Sequence, residues 1–176
     1  MKNISFRLSP LLRSNRWSIL LLLAIAAYLY ILSSLMLWTD VGIPQLKAPF
    51  ADMQAILSAS DAYREGLNPY IENPHDPLGR KHVYPRVWLW LGHTGITLDH
   101  SNIAATLMAA FFFLLCIGIL RPDNGKEFLI SAILLLSPAV LLGVERGNND
   151  LIIFILLGLA VFFLNQKIRA LDFVAY

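Results

Sequence analysis

The chain has 176 residues, of which 57% are hydrophobic and 15% are charged. Soluble domains contain about 45–50% apolar and about 25% charged residues, so this composition excludes a disordered chain and disfavours a soluble one. The single cysteine, Cys116, excludes an internal disulfide framework and a cysteine-based zinc cluster. A net charge of +2 gives no argument for a nucleic-acid partner.

Four apolar runs account for this composition and predict about four transmembrane helices. They cover residues 17–38, 103–120, 128–144 and 151–164. A spanning helix needs about 20 residues, so the first three runs are long enough and the fourth is short. The first run is longer than the apolar part of a cleaved signal peptide, and we interpret it as a signal anchor. The pattern indicates an all-α membrane protein in which residues 103–164 form three transmembrane helices.

The charges between the runs predict the orientation. Residues 1–16 carry four basic residues and no acidic one, which is typical of a cytoplasmic tail. Alternation then places an outer loop at 39–102 and a cytoplasmic end at 165–176. The inner segments sum to a net charge of +5 and the outer segments to −3. We therefore expect a multi-pass protein of the cell membrane with its N-terminus in the cytoplasm.

The outer loop at residues 39–102 is long for a connection between spans, and long loops are often functional. Its residues 48–66 have the pattern of an amphipathic helix that lies at the membrane interface. Residues 84–100, which include Trp88 and Trp90, predict a second interfacial segment that returns the chain to the bilayer. The loop is thus expected to carry interfacial helices rather than to act as a simple linker.

One acidic residue departs from the amphipathic pattern of the first interfacial helix. Gln54, Ser58 and Asp61 fall on its polar face, which is expected to be solvated, whereas Asp52 lies close to the apolar face. A first-turn aspartate can simply complement the helix dipole. A carboxylate held off the solvated face can equally be a functional group, and the position alone does not separate the two.

A dense polar segment, residues 145–150, precedes the short fourth apolar run. Polar residues at membrane depth are functional candidates. Asn149 or Asp150 can cap the following helix, whose free N–H groups favour an anion, and Arg146 adds a cation. The competing interpretation is an ordinary outer turn with a helix cap. In the third run, Ser137-Pro138 predicts a kink.

The sequence gives little evidence for a metal site. All four histidines lie in the outer loop, and their spacing matches no known metal motif. Solvated loop histidines are the favoured interpretation, and no residue is assigned as a metal ligand. The cofactor is left unassigned, with a divalent cation as an open alternative.

Several short motifs follow one another in a characteristic order. They are Asp52, Gly66-Leu67-Asn68-Pro69-Tyr70, Val83-Tyr84-Pro85, Ser137-Pro138 and Gly147-Asn148-Asn149. With the signal anchor and the long first outer loop, this order resembles the GT-C glycosyltransferases, and most closely the family 87 mannosyltransferase-like membrane proteins. Arg86 stands where the family often has a second proline, and Gly147-Asn148-Asn149 replaces a Gly-Gln-x-Asn pattern. Family members usually have more spans, so the chain resembles the N-terminal part of one, with a partial GT-C-like fold.

The resemblance implies an integral membrane glycosyltransferase that works on the non-cytoplasmic face. A sugar, such as mannose, would pass from a polyprenyl-phosphate donor to a glycan or lipid-linked acceptor. The family's catalytic carboxylate maps onto Asp52, which would accept the proton of the acceptor hydroxyl. The residues expected to bind substrate, with the arginines stabilising the leaving phosphate, are Arg146, Asn148, Asn149, Tyr70, Tyr84 and Arg86.

Two other hypotheses remain open at this point. The chain could be a non-catalytic polytopic membrane subunit or a transporter fragment, with the outer loop as a docking surface. It could also be a truncated relative of the glycosyltransferases that is inactive on its own. All three hypotheses have membrane lipid as a partner.

Overall fold

A computed structural model of the chain describes residues 16–174, with side chains up to residue 164. Every regular element in this part of the chain is a helix. The six α-helices are α1 (Arg16–Ser34), α2 (Ala51–Arg64), α3 (Ser101–Leu120), α4 (Gly125–Leu135), α5 (Pro138–Arg146) and α6 (Asn149–Val174). Two 3₁₀ helices, Arg86–Thr94 and Leu98–His100, lie in the outer loop. The prediction of an all-α protein is confirmed for the described residues.

The helices provide two or three candidate membrane spans, not the four that the sequence predicted. Helix α1 has 19 residues, and the continuous helical segment Leu98–Leu120 has 23, and both are apolar enough to cross a membrane. Helices α4 and α5 together count as a third span. The apolar part of α6, Asn149–Leu164, is too short by the same criterion. The fourth apolar run, residues 151–164, is already shorter in the sequence than the roughly 20 residues that a spanning helix needs.

The third apolar run is broken at Ser137-Pro138, as predicted. Helices α4 and α5 meet there at an angle of 51°. Proline has no backbone N–H to donate to the preceding turn, so the helical hydrogen-bond pattern cannot continue through it. The break divides one long apolar segment into two short helices of different direction.

The bent α4–α5 pair runs the length of the helical bundle. At one end, the ring of Phe128 in α4 lies 5.9 Å from the ring of Trp17 at the start of α1. At the other end, the carbonyl of Glu145 in α5 accepts a hydrogen bond of 3.2 Å from the N–H of Phe50, just before α2. Its two ends contact opposite ends of the described helical bundle, an arrangement compatible with one broken span.

A single apolar cluster joins the bundle to the helix of the outer loop. Helices α1, α3, α4 and α6 all contribute side chains to it. From α2, Met53 and Leu57 are buried in the same cluster. Helix α2 therefore sits directly on the outer end of the bundle. The buried members of the apolar cluster include Leu21, Ile25, Met53, Leu57, Ala105, Met108, Phe112, Phe113, Cys116, Leu135, Val144 and Leu151.

The expected solvated face of α2 is buried, so that part of the amphipathic prediction is wrong. Gln54, Ser58 and Asp61 are all buried. The side-chain amide of Asn73 donates to the Ser58 hydroxyl at 3.0 Å, and the N–H of Leu98 donates to the Asp61 carboxylate at 2.8 Å. This face of α2 is polar because its side chains form hydrogen bonds with the rest of the outer loop, which covers them.

The predicted second interfacial segment forms the two 3₁₀ helices and packs on α2. The hydroxyl of Ser60 donates to the carbonyl of Leu89 at 2.9 Å and accepts a hydrogen bond from the N–H of Gly92. Trp88 is half-buried, whereas Trp90 is exposed. The outer loop is thus a layer two helices thick above the bundle.

Candidate functional site

Three distant parts of the chain meet at the carboxylate of Asp52. The side-chain amide of Asn148 donates to its Oδ2 at 3.0 Å, across 96 positions of sequence. The Nη1 of Arg80, 28 positions away, lies 3.5 Å from its Oδ1. The Asp52 side chain is still 18% exposed. An aspartate that only completed the dipole of α2 would not need partners from two other segments.

Gly147 allows the polar segment to approach α2 closely enough for this contact. Its φ is +61°, in the left-handed region, and it ends α5. A Cβ at this position would lie 3.0 Å from the Cβ of Met53 and 3.1 Å from those of Phe50 and Ala105. Only glycine combines this backbone conformation with this approach. Asn148 is the residue after Gly147, so its side chain reaches the Asp52 carboxylate.

Asn148 also caps α6, a role that the sequence analysis gave to its neighbours. Its Oδ1 accepts a hydrogen bond of 2.8 Å from the N–H of Asp150. The other end of the same amide donates to Asp52. Asn149 is buried, and its Oδ1 has no hydrogen-bond partner among the described residues. One asparagine therefore fixes the start of α6 and one oxygen of Asp52 together.

Arg80, the second partner of Asp52, is held by a buried carboxylate. Its Nε donates to Oδ2 of Asp76 at 2.9 Å, and its Nη2 lies 3.3 Å from Oδ1 of the same residue. Its Nη2 also donates to the carbonyl of Ala51, at the first position of α2. The guanidinium is thus fixed against the beginning of the helix that carries Asp52.

An aromatic group lies beside these charged residues. The pKa of Tyr84 is raised, first by burial and then by the negative charges of Asp52 and Asp150, while Arg80 opposes the shift. The hydroxyl of Tyr70 donates to the backbone carbonyl of Tyr84 at 3.1 Å. Tyr84 is therefore close enough to Asp52 to sense its charge, and it stays a protonated hydrogen-bond donor at neutral pH.

A histidine is enclosed between the two tyrosines. The ring of His82 lies 5.1 Å from that of Tyr70 and 5.8 Å from that of Tyr84. His82 is 3% exposed. Burial lowers its pKa, because the charged imidazolium is poorly solvated there. The sequence interpretation of this histidine as a solvated loop residue is wrong.

The other predicted substrate-binding residues lie outside this cluster. The Nη2 of Arg146 donates to the carbonyl of Pro44 at 3.1 Å, and its Nε lies 3.0 Å from the buried carboxylate of Glu145. Arg86 is exposed and, with Tyr70, lines a separate cavity of about 390 Å³ at the end of α2. Asp52, Asn148 and Tyr84 are brought together, whereas Arg146 and Arg86 are not.

An apolar cavity of about 600 Å³ extends into the bundle beside this cluster. Side chains of α3, α4, α5 and α6 form its walls, and among them are Phe112, Leu135 and Phe154. Asn148 and Asp150 are the polar residues that line it. The same asparagine therefore contacts both the Asp52 carboxylate and an apolar cavity.

The geometry gives no independent argument for a resident metal ion. In the residues that the structure describes, no group of three His, Cys, Asp or Glu side chains could hold one. Asp52 instead has an amide and a guanidinium as neighbours. With these neighbours, the partly exposed Asp52 carboxylate can take part in proton transfer and hydrogen bonding.

Sequence analysis missed Arg80 and Asp76. Both lie in a proline-rich loop, where an arginine and an aspartate look like ordinary solvated residues. A local signal was present, because Asp76-Pro77-Leu78-Gly79 has the composition of a tight turn with an aspartate at its first position. That signal predicts the turn, but not the contact between Arg80 and Asp52.

The chain was also compared with known proteins. It matches no protein-family model, no curated protein sequence and no solved structure. The resemblance to the family 87 enzymes therefore rests on the motifs alone. The function is inferred below from Asp52, its neighbours and the apolar cavity beside them.

Proposed function

We propose that the chain carries the site of an integral membrane glycosyltransferase. In this proposal a sugar passes from a polyprenyl-phosphate donor to an acceptor hydroxyl on the non-cytoplasmic face. The observation that carries it is the convergence of Asn148 and Arg80 on the largely buried but still accessible carboxylate of Asp52, above an apolar bundle. The two to three candidate spans support the membrane location.

Asp52 has the free capacity that a general base requires. A carboxylate offers about four lone-pair positions, and Asn148 and Arg80 occupy one on each oxygen. The remaining positions can accept a proton from an acceptor hydroxyl. In the proposed step the acceptor oxygen bonds to the anomeric carbon, its proton moves to Asp52, and the bond from that carbon to the phosphate oxygen breaks. The polyprenyl phosphate leaves with the electron pair.

The apolar cavity beside Asn148 supports a lipid-linked substrate. Its volume of about 600 Å³ falls in the range of ligand-binding clefts. A polyprenyl chain in this cavity would present its phosphate and sugar near Asn148 and Asp150, and therefore near Asp52. The polyprenyl chain already lies in an apolar bilayer before it binds, so packing in the cavity would position the chain, and contacts with the phosphate and sugar would supply most of the affinity.

The remaining assignments follow from the same arrangement. We propose Asn148 and Tyr84 as groups that hydrogen-bond the substrate or orient Asp52. Asn149, Tyr70, Arg86 and Arg146 stay predictions as substrate-binding residues. Arg146 would have to exchange its contacts with Glu145 and Pro44 to reach a phosphate near Asp52.

Substitution of Asp52 by asparagine tests the proposal. Asparagine keeps the size and can hydrogen-bond, but it cannot accept the proton, so the rate of sugar transfer should fall by about 10²–10⁴-fold. The measurement is transfer of radiolabelled sugar from polyprenyl-phosphate donors in membranes that contain the full chain. Asp99→Asn is the matched control, because Asp99 is an exposed aspartate of the same outer loop.

The outcomes separate the enzyme from the alternatives. Loss of transfer in Asp52→Asn but not in Asp99→Asn, per folded molecule, supports the base. Equal rates in the two variants would remove Asp52 from the mechanism. A non-catalytic subunit, a transporter fragment and a truncated relative that is inactive on its own all predict no transfer by the wild-type chain from any polyprenyl-phosphate sugar.

A further inference from the structure

Asp76 is the most deeply buried charged side chain near the proposed site. Its side chain is 0% exposed, compared with 31% for Arg80 and 18% for Asp52. It cannot contact a substrate, because no part of the carboxylate reaches the surface. Any influence it has on the site must pass through the residues that it touches.

Three of the four hydrogen bonds to the Asp76 carboxylate come from Arg80, and the fourth comes from the N–H of Leu78. The backbone N–H groups of Leu78 and Arg80 each donate to its carboxylate at 3.1 Å. The Nε of Arg80 donates at 2.9 Å and its Nη2 lies at 3.3 Å, which makes a two-pronged contact. Such a contact sets the plane of a guanidinium as well as its position.

The guanidinium in turn bridges to the base of the proposed reaction. Its Nη2 donates to the carbonyl of Ala51, and its Nη1 approaches Oδ1 of Asp52 at 3.5 Å. A guanidinium has five N–H groups. Its contacts with Asp76, Ala51 and Asp52 use four of these groups, so three residues hold the guanidinium.

We propose that Asp76 and Arg80 form a positioning pair for Asp52. Asp76 fixes the guanidinium, and the guanidinium together with Asn148 holds the two oxygens of Asp52 in one orientation. The proposal rests on the proposed function, in which Asp52 takes a proton from the acceptor. The competing hypothesis is that the pair only anchors the loop to α2. In that case it stabilises the fold but does not affect the orientation of Asp52.

The kinetic test uses Asp76→Asn and Arg80→Lys. Asparagine loses the charge that holds the guanidinium, and lysine keeps the charge but loses the planar fork. Because a small misplacement of a reacting group can cost about 10²-fold in rate, both variants should lower kcat by that order, with little change in KM for the donor. Arg64→Lys is the matched control, since Arg64 is an exposed arginine that pairs with Asp61 at the other end of α2.

A thermodynamic test does not depend on sugar transfer. Asp52→Asn, Asp76→Asn and the double variant are unfolded in mixed micelles, in the wild-type background and again with Arg80→Ala. If Asp76 acts through Arg80, the effects of the two substitutions are non-additive by about twofold or more in the unfolding equilibrium constant. With Arg80→Ala they become additive.

Each result decides between the hypotheses. Lower kcat in both variants together with non-additive unfolding supports the positioning pair. Unchanged kcat in an active protein, or additive unfolding in the wild-type background, overturns it. If the wild-type chain transfers no sugar, the proposal that this chain alone is an active enzyme fails, while the unfolding cycle still accepts or rejects the link between Asp76 and Asp52.

Discussion

Replacement of Gly147 by alanine should destabilise the protein by about 2–5 kcal/mol. The left-handed backbone at this residue costs a side-chain-bearing residue about 1–2 kcal/mol. The new Cβ would lie 3.0 Å from the Cβ of Met53 and 3.1 Å from that of Ala105, and overpacking of this kind adds about 1–3 kcal/mol. Relief of the clash requires the turn to move away from α2. Asn148 then withdraws from Asp52, so that sugar transfer should fall with stability.

Unfolding of purified protein in mixed micelles measures this free energy, with tryptophan fluorescence as the signal. Gly95→Ala is the control, because Gly95 also has a positive φ of +82° but has nothing within 4 Å of an added Cβ. The control should show only the backbone cost of about 1–2 kcal/mol. Equal losses for Gly147→Ala and Gly95→Ala would refute the close packing of Gly147 on α2.

Three further predictions follow from the contacts and the charge pattern. In a Cys116→Ser background, an impermeant thiol reagent on intact cells should label a cysteine at Glu72 but not one at Asp123, and the opposite pattern would reverse the orientation. Burial lowers the pKa of His82 in the folded state. As the pH falls, the unfolded chain therefore binds this proton first, and the free energy of unfolding should fall below about pH 6.5. His82→Gln should flatten this pH dependence of stability, and an unchanged slope would exclude His82 as its source. Arg146→Ala should cost about 3 kcal/mol of stability, because it leaves a buried carboxylate without its partner, and Arg146→Lys should cost less. Weaker donor binding by Arg146→Ala at unchanged stability would instead favour a substrate-binding role.

Local patterns in the sequence predicted the helices well. Apolar runs and the Ser137-Pro138 pair depend on neighbouring residues only, and both the helices and the bend of 51° are present. The number of spans was overestimated, because the fourth run was counted although its 14 residues fall short of the roughly 20 that a spanning helix needs.

The candidate site was predicted only in part, because local patterns do not reveal contacts between distant segments. Asp52 was singled out because it lies off the polar face of α2, and Asn148 because it belongs to the Gly147-Asn148-Asn149 motif of the family resemblance. Nothing local links Arg80 to Asp52, since the link depends on how a proline-rich loop folds back over α2. Asp61 was expected to be solvated and is buried, because a hydrophilic helix face looks the same whether water or another loop covers it.

The sequence separation of the two partners of Asp52 sets the order in which the site can be assembled. Arg80 lies only 28 positions away and can reach Asp52 as soon as the outer loop has been synthesised. Asn148, 96 positions away, arrives only after the bent α4–α5 pair has been inserted and has turned at Gly147. Arg80 is therefore available to Asp52 earlier in synthesis than Asn148, and the contact with Asn148 forms last.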